Sequence, residues 1–216
     1  MKAFVNFLSA FRIASAFAII PTLLLGWYWT SFVLYVLASL SDFFDGYLAR
    51  EYNCVSKLGG VMDHIGDKLL VANTLIVLSI VLAFILPVFI TGYPAWIIIV
   101  PTILMISREL YISGLREFLG TQKIEMPVPK ARFSMGKIKT TLQMVATCAL
   151  LFSLCMPQLV LIPHSFLIPR IEKIAIYGSY GLVWGGTITL WLALVASIWS
   201  ATQYTKTFLG HLKKIK

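Results

Sequence analysis

The chain has 216 residues, of which 59% are hydrophobic and 12% are charged, and its mean hydropathy is +0.86. These values exclude an ordinary soluble domain. The net charge of +9 predicts attraction to anionic lipid rather than to nucleic acid. Because one membrane span needs about 20 apolar residues, the length predicts a single all-α domain over residues 1–216, with six transmembrane helices and short loops.

Six apolar segments, separated by aromatic, glycine, proline or charged residues, mark the predicted spans. They lie at residues 13–25, 31–52, 56–86, 95–118, 136–156 and 176–205. Pro87 is expected to follow the third helix, and three prolines are expected to interrupt the chain before the sixth: Pro157, Pro163 and Pro169. A polar and basic tail is expected to close the chain.

Basic residues are distributed unevenly between the two sides that these spans define. Both termini, the turn in the 50s and the linker in the 120s and 130s fall on one side, which collects every Lys and Arg except Arg170 and Lys173. The positive-inside rule therefore predicts that both termini and these connections are cytoplasmic, in the cell inner membrane. The three cysteines show no paired spacing and are predicted to be free thiols.

Four of the nine acidic residues lie in one short stretch between two apolar runs: Asp42, Asp45, Asp63 and Asp67. The first two are three residues apart and the last two are four apart, so each pair shares one face of a helix. If the two helices form an antiparallel hairpin, the pairs lie level and the carboxylates converge on one pocket. Such oxygen donors favour Mg²⁺, Mn²⁺ or Ca²⁺ over Zn²⁺, and two ions would suit displacement at phosphorus.

The residues around these aspartates read D-x-x-D-G-x-x-A-R, then eight residues, then G-x-x-x-D-x-x-x-D. This stretch resembles the signature of the CDP-alcohol phosphotransferases, membrane enzymes that exchange the CMP of a CDP-linked lipid for an alcohol. The resemblance implies that the four aspartates hold two divalent cations, Mg²⁺ or Mn²⁺, and that Asp67 is also the general base. It implies a CDP site lined by Gly46, Ala49, Arg50 and Gly59, and a homodimer.

Asn6, Ser9 and Arg12 stand at spacings of three, which resembles the N-x-x-[ST]-x-x-R lead-in of the same family. The resemblance implies that Asn6 and Ser9 bind CDP; an interfacial cap and anchor is the alternative. One departure from the family pattern is His64 with Gly66, where related proteins have proline and alanine. The missing proline is expected to loosen the start of the third helix.

Three further motifs resemble the bacterial phosphatidylglycerophosphate synthase branch of the family: S-R-E-L with G-L-R-E-F at Ser107–Phe118, G-K-I-K-T-T-L-Q-M at Gly136–Met144, and W-S-A-T-Q-Y at Trp199–Tyr204. The resemblance implies that CDP-diacylglycerol in the membrane lipid is the donor and glycerol 3-phosphate the acceptor, giving phosphatidylglycerophosphate and CMP.

Glycerol 3-phosphate is a dianion, and four basic residues could bind its phosphate: Arg108, Arg116, Lys137 and Lys139. A solvated interfacial collar is the alternative for each of them. Adjacent positions on a helix do not face one another, so Arg108 and Glu109 are expected to contact different partners.

Two other functions stay open at this point. The same chemistry with another acceptor, as in cardiolipin, phosphatidylserine or phosphatidylinositol-phosphate synthases, would keep the aspartates but would not need so many cations. A divalent-cation transporter would also use the carboxylates, although the chain lacks the internal repeats typical of transporters.

Overall fold

The structure is a computed structural model that describes the backbone of residues 2–51, 57–89, 93–121, 135–160 and 168–215. Side chains are described within residues 6–41, 59–62, 65–85, 93–118, 138–158 and 173–210. The described chain forms the α-helices α1 (Lys2–Leu24), α2 (Tyr28–Glu51), α3 (Lys57–Phe89), α4 (Trp96–Thr121), α5 (Met135–Val160) and α6 (Ile168–Ile215). These ranges contain no strand, so the predicted all-α class is confirmed.

Five of the helices contain a segment long and apolar enough to cross a membrane. These segments are Asn6–Leu24, Gly59–Ile85, Trp96–Phe118, Ile138–Gln158 and Lys173–Gly210. The apolar part of α2 that the structure describes is shorter, Tyr28–Ser41. The chain is therefore a multi-pass membrane protein, while the sixth crossing and the cytoplasmic termini stay predictions.

Several helices run further than the sequence predicted. Helix α3 continues through Pro87 to its last residue, Phe89, and α5 contains Pro157. Helix α6 begins at Ile168, so that Pro169 lies in its first turn, where a missing N–H breaks no helical hydrogen bond. Neighbouring helices in a membrane protein can satisfy the backbone groups that an internal proline frees, which explains why the other two prolines do not end their helices. The predicted polar tail is helical through residue 215.

The turn between α1 and α2 is closed by its own backbone and attached to α5. Gly26 has a φ of 78°, a left-handed conformation that glycine adopts without strain. The amide of Trp27 donates to the carbonyl of Thr22 at 2.8 Å, and the side-chain amide of Gln158 donates to the Gly26 carbonyl at 2.7 Å. These bonds satisfy backbone groups at the end of α1.

Helices α3 and α6 each pack against more than one other helix. Helix α3 packs extensively against α1 and less so against α2, α4 and α5, while α2 also packs against α1 and α5. Helix α6 packs against α5 and α4. Helices α3, α4, α6 and α5 therefore form a ring. Within the described residues, the backbones of α4 and α5 lie on opposite sides of this ring and do not approach one another.

The interface between α5 and α6 is the most extensive in the described chain and depends on small residues. A Cβ atom placed on Gly186 would lie 2.8 Å from Cγ of Leu150, whose side chain is fully buried. Ala146 and Ala193 are also fully buried. Small residues let two membrane helices approach closely, because lipid gives little hydrophobic drive for their association.

Candidate functional site

The four aspartates lie on two helices that contact one another. Asp42 and Asp45 lie in the second half of α2, and Asp63 and Asp67 lie near the start of α3, at the predicted helical spacings. The side chains of Asp42, Asp45 and Asp63 lie outside the described residues, and so does the predicted convergence of the carboxylates. The described side chains alone contain no group of three acidic, His or Cys residues that could hold a metal ion.

The carboxylate of Asp67 is held by a residue of α1. Nη1 of Arg12 donates to Oδ1 of Asp67 at 2.7 Å, and the side chain of Arg12 is fully buried, whereas that of Asp67 is 43% exposed. A buried guanidinium stabilises the charged form of a carboxylate and fixes its orientation. The candidate site around Asp67 therefore involves α1 as well as α3.

Arg12 was not among the predicted site residues, although the sequence contained a signal for it. It is a charged residue beside an apolar run that crosses the membrane, and such residues are usually functional. Its partner lies 55 positions away, which no local pattern reveals.

Three residues predicted to line the CDP site have described surroundings and lie near this ion pair in the chain. Asn6 is half-buried and Ser9 is buried, and both precede Arg12 on α1, while Gly59 is buried in the first turn of α3. Gly46, Ala49 and Arg50 lie at the end of α2, and their surroundings fall outside the described residues.

Gly66, one of the departures from the family pattern, lies where α1 and α3 pack together. A Cβ atom there would lie 3.4 Å from Cδ of Arg12 and 3.4 Å from Cγ1 of Ile13. These are ordinary van der Waals distances, so an alanine would also fit. The side chain of His64 and the expected loosening of the helix start lie outside what the described residues test.

Lys68 follows Asp67 on α3 and joins a cluster of cations from two other helices. The cluster consists of Lys68, Arg108, Arg116 and Lys139, whose charges lie close enough to repel one another. Nζ of Lys68 donates to Oγ of Ser113 on α4 at 2.7 Å. Lys68 was not predicted as a site residue, although its position beside an aspartate of the signature was a usable signal. Lys137 lies on α5, with its side chain outside the described part.

Glu109 is the acidic residue that pairs with this cluster. Nη1 of Arg108 donates to Oε1 of Glu109 at 3.0 Å, and Nζ of Lys139 forms an ion pair with the same oxygen. The expectation that Arg108 and Glu109 contact different partners is therefore wrong. Adjacent helical residues diverge at Cβ, but two long side chains can still meet at their ends, and Lys139 from α5 attracts the carboxylate to the same place.

The two arginines of the cluster are also held by α6. Nε of Arg108 donates to the carbonyl of Ser197 at 3.1 Å. Nη2 of Arg116 donates to the hydroxyl of Tyr204 at 3.1 Å, and its guanidinium carbon lies 5.0 Å from the centre of the Tyr204 ring. Tyr204 belongs to the W-S-A-T-Q-Y motif, which thus supports the cluster without contributing a charge.

Known proteins match most of the chain in sequence. The sequence profile described as CDP-alcohol phosphatidyltransferase matches residues 3–199. Two relatives carry the name CDP-diacylglycerol–glycerol-3-phosphate 3-phosphatidyltransferase and match most of the chain. The protein from Cereibacter sphaeroides is 32% identical over 205 residues, which are 87% of this chain and 85% of that protein. The protein from Pectobacterium atrosepticum is 31% identical over 204 residues, 91% of this chain and 90% of its own.

A third relative of the same name, from Rickettsia bellii, is 38% identical over 148 residues, which cover 65% of this chain and 70% of that protein. The profile match spans most of the chain and includes the aspartates of α2 and α3 together with the cations of α4 and α5. The chain therefore belongs to the CDP-alcohol phosphatidyltransferase family.

Proposed function

We propose that the chain transfers the phosphatidyl group of CDP-diacylglycerol to glycerol 3-phosphate, giving phosphatidylglycerophosphate and CMP. The observation that carries this proposal is the adjacency of Asp67 and Lys68 on α3. Asp67 pairs with buried Arg12, and Lys68 belongs to the cation cluster. A candidate base and a candidate phosphate site are thus neighbours. The relatives named for this reaction support the same acceptor.

Members of the family generally depend on divalent metal ions. The predicted donor set fits two Mg²⁺ or Mn²⁺ ions, because it consists of carboxylates alone: Asp42, Asp45, Asp63 and Asp67. Bound there, the ions would screen the diphosphate and stabilise negative charge on the departing CMP. CDP itself would lie against Asn6, Ser9, Gly46, Ala49, Arg50 and Gly59.

Asp67 is the proposed general base for the 1-hydroxyl of glycerol 3-phosphate. A carboxylate that acts as the base must be ionised, correctly oriented and accessible to the hydroxyl. The buried guanidinium of Arg12 favours the ionised form of Asp67 and fixes its orientation, and the exposure of Asp67 makes it accessible. The oxygen of that hydroxyl attacks the β-phosphorus of the donor, its proton passes to Asp67, and the bond to CMP breaks. Arg12 is therefore a positioning residue.

The cation cluster is the proposed site for the phosphate of the acceptor. Four like charges in a partly buried place repel one another, and a phosphate dianion relieves that repulsion while accepting charge-assisted hydrogen bonds. We assign this role to Arg108, Arg116, Lys137 and Lys139, and we add Lys68. A neutral alcohol would leave most of these charges unused.

We also propose that this end of the helices faces the cytoplasm, in the inner membrane. The described cations lie in the first half of α3, in the middle and last turns of α4, and near the start of α5, towards the side where the positive-inside rule places the cytoplasm. This orientation requires α2 to complete a sixth crossing and both termini to be cytoplasmic. The single domain over residues 1–216 and the homodimer complete the proposal.

The test is an acceptor panel with purified protein and labelled CDP-diacylglycerol. CMP release and the lipid product would be measured with glycerol 3-phosphate, inositol 1-phosphate, serine, glycerol and phosphatidylglycerol, each with Mg²⁺, with Mn²⁺ and with a chelator. We expect phosphatidylglycerophosphate with either metal and no product with the chelator. Preference for any other acceptor of the panel, or metal movement into liposomes with the CDP-lipid intact, would contradict the proposal.

A further inference from the structure

Glu109 is more exposed than the two cations with which it pairs, Arg108 and Lys139. The side chains of Arg108 and Lys139 are only 10% and 9% exposed, whereas the side chain of Glu109 is 30% exposed. The acid is thus the most accessible member of the trio. An anion that binds these two cations must compete with the carboxylate of Glu109.

The carboxylate also occupies the position that suits an oxygen of an incoming anion. Both cations contact one oxygen of Glu109, Oε1, although they come from helices whose described backbones do not approach each other. The two long side chains of Glu109 and Lys139 span the space inside the helix ring. A phosphate oxygen bound by Arg108 and Lys139 would need this same place.

We propose that Glu109 is a specificity-determining residue of the acceptor site, a tethered counter-ion that a phosphomonoester dianion displaces and that excludes anions of lower charge. The inference rests on the proposed function, because it concerns the phosphate of glycerol 3-phosphate. The inference gives a role to the one acidic residue, Glu109, that the structure describes in an ion pair with the cations of the proposed phosphate site.

Competition between charges explains the selectivity. Glu109 is held beside the cations by its own chain, so its effective concentration is high. A monoanion offers the cations no more charge than Glu109 already does, and it must also lose its freedom of motion on binding. A dianion offers twice the charge and further acceptor oxygens, which makes displacement favourable. Neutral alcohols do not compete for the cations.

The test compares methyl phosphate with dimethyl phosphate. The monoester is a dianion at about pH 7.5, because its second proton leaves at about pH 6, whereas the diester stays a monoanion. The ligand concentration that gives half of the maximal thermal stabilisation would be measured for the full chain in a neutral detergent without added phospholipid, so that no lipid headgroup supplies the phosphate. We expect the wild-type protein to bind methyl phosphate and to require at least about tenfold more dimethyl phosphate, a difference of about 1.4 kcal/mol.

The decisive variant is Glu109→Gln, which keeps the size of the side chain and removes its charge. We expect its half-saturating concentration of dimethyl phosphate to fall about tenfold, with a smaller change for methyl phosphate, so that the discrimination between the two ligands narrows. Glu117→Gln is the matched control. Glu117 is an exposed acid two turns further along α4, and its variant should discriminate as the wild-type protein does.

If Glu109 has only a structural role, Glu109→Gln would weaken the binding of both ligands alike and leave the ratio of their half-saturating concentrations unchanged. This result would overturn the proposal. Equal binding of the two ligands by the wild-type protein would also overturn it, even if the Gln variant did not fold. Neither measurement uses catalytic turnover. If the protein uses glycerol 3-phosphate in the acceptor panel but these binding results contradict the proposal, the proposed function stands and only the role of Glu109 is rejected. If the protein does not use glycerol 3-phosphate, the proposed function itself is rejected.

Discussion

Asp67 and Lys68 are neighbours on α3, but they belong to two different clusters of charged side chains. These clusters differ in charge balance. On one side, Asp67 pairs with the guanidinium of Arg12, which is fully buried. On the other side, Lys68 joins Arg108, Arg116 and Lys139, for which Glu109 is the acid that the structure describes in an ion pair. Among the side chains that the structure describes, the first cluster pairs one cation with one acid, and we call it matched; the second has four cations for one acid, and we call it unmatched.

This difference shows how similar residues can serve different purposes. A matched pair whose cation is fully buried holds a carboxylate in one orientation, and removing the carboxylate leaves an uncompensated buried charge. An unmatched cluster is electrostatically unfavourable until an anion arrives. The matched cluster therefore suits a positioned base, and the unmatched one suits a ligand site.

The largest effect is expected for Asp67→Asn, which breaks the matched pair at its acid. CMP release should fall about a thousandfold, because the amide can neither accept the proton of the hydroxyl nor bind a cation as a carboxylate does. Release from labelled CDP-diacylglycerol would be compared with the thermal midpoint of the same preparation. Activity near that of the wild type in a folded variant would remove Asp67 from the mechanism.

The next effect is expected for the other member of the pair. Arg12→Gln should lower kcat about thirtyfold, in the range typical of residues that orient a functional ligand, with the KM for glycerol 3-phosphate unchanged. Arg12→Lys keeps the charge and should recover part of kcat. A purely structural Arg12 would instead lower the apparent kcat only in proportion to the loss of folded protein, with no recovery by lysine beyond the recovery of thermal stability.

A smaller effect, on a different kinetic constant, is expected for the unmatched cluster. Lys139→Gln should raise the KM for glycerol 3-phosphate about tenfold, because a charge-assisted hydrogen bond to phosphate is lost, and kcat should change less. Lys173→Gln, an exposed lysine near the start of α6, is the control and should leave both constants unchanged. An unchanged KM for Lys139→Gln would show that the cluster does not bind the acceptor.

The smallest effect is expected away from both clusters, in the interface between α5 and α6. Gly186→Ala forces Cβ against the buried side chain of Leu150 and should lower the thermal midpoint by on the order of 5 °C, with KM for glycerol 3-phosphate unchanged. Gly185→Ala is the control, because its Cβ would meet no atom within 4 Å. Equal midpoints for the two variants would contradict the close packing at Gly186.

The membrane class, the helical elements and the spacing of the aspartates were predictable because they depend on local sequence. Apolar runs identify membrane helices, and residues three or four apart share a helix face whatever the rest of the chain does. The helix ends were less predictable. Pro87 and Pro157 lie within helices that the sequence alone expected to end at or before them, since packing between membrane helices compensates for lost backbone bonds.

The partners of the charged residues were decided by the tertiary structure alone. The sequence determined that Arg12, Asp67 and Lys139 lie on helices, but not that Arg12 would reach Asp67 or that Glu109 would join Arg108 to Lys139. These pairs form between helices that are distant in the chain, and they depend on how α1 packs on α3 and how the ring of helices closes. Helical periodicity orients a side chain on its own helix, whereas only packing sets which helix it faces.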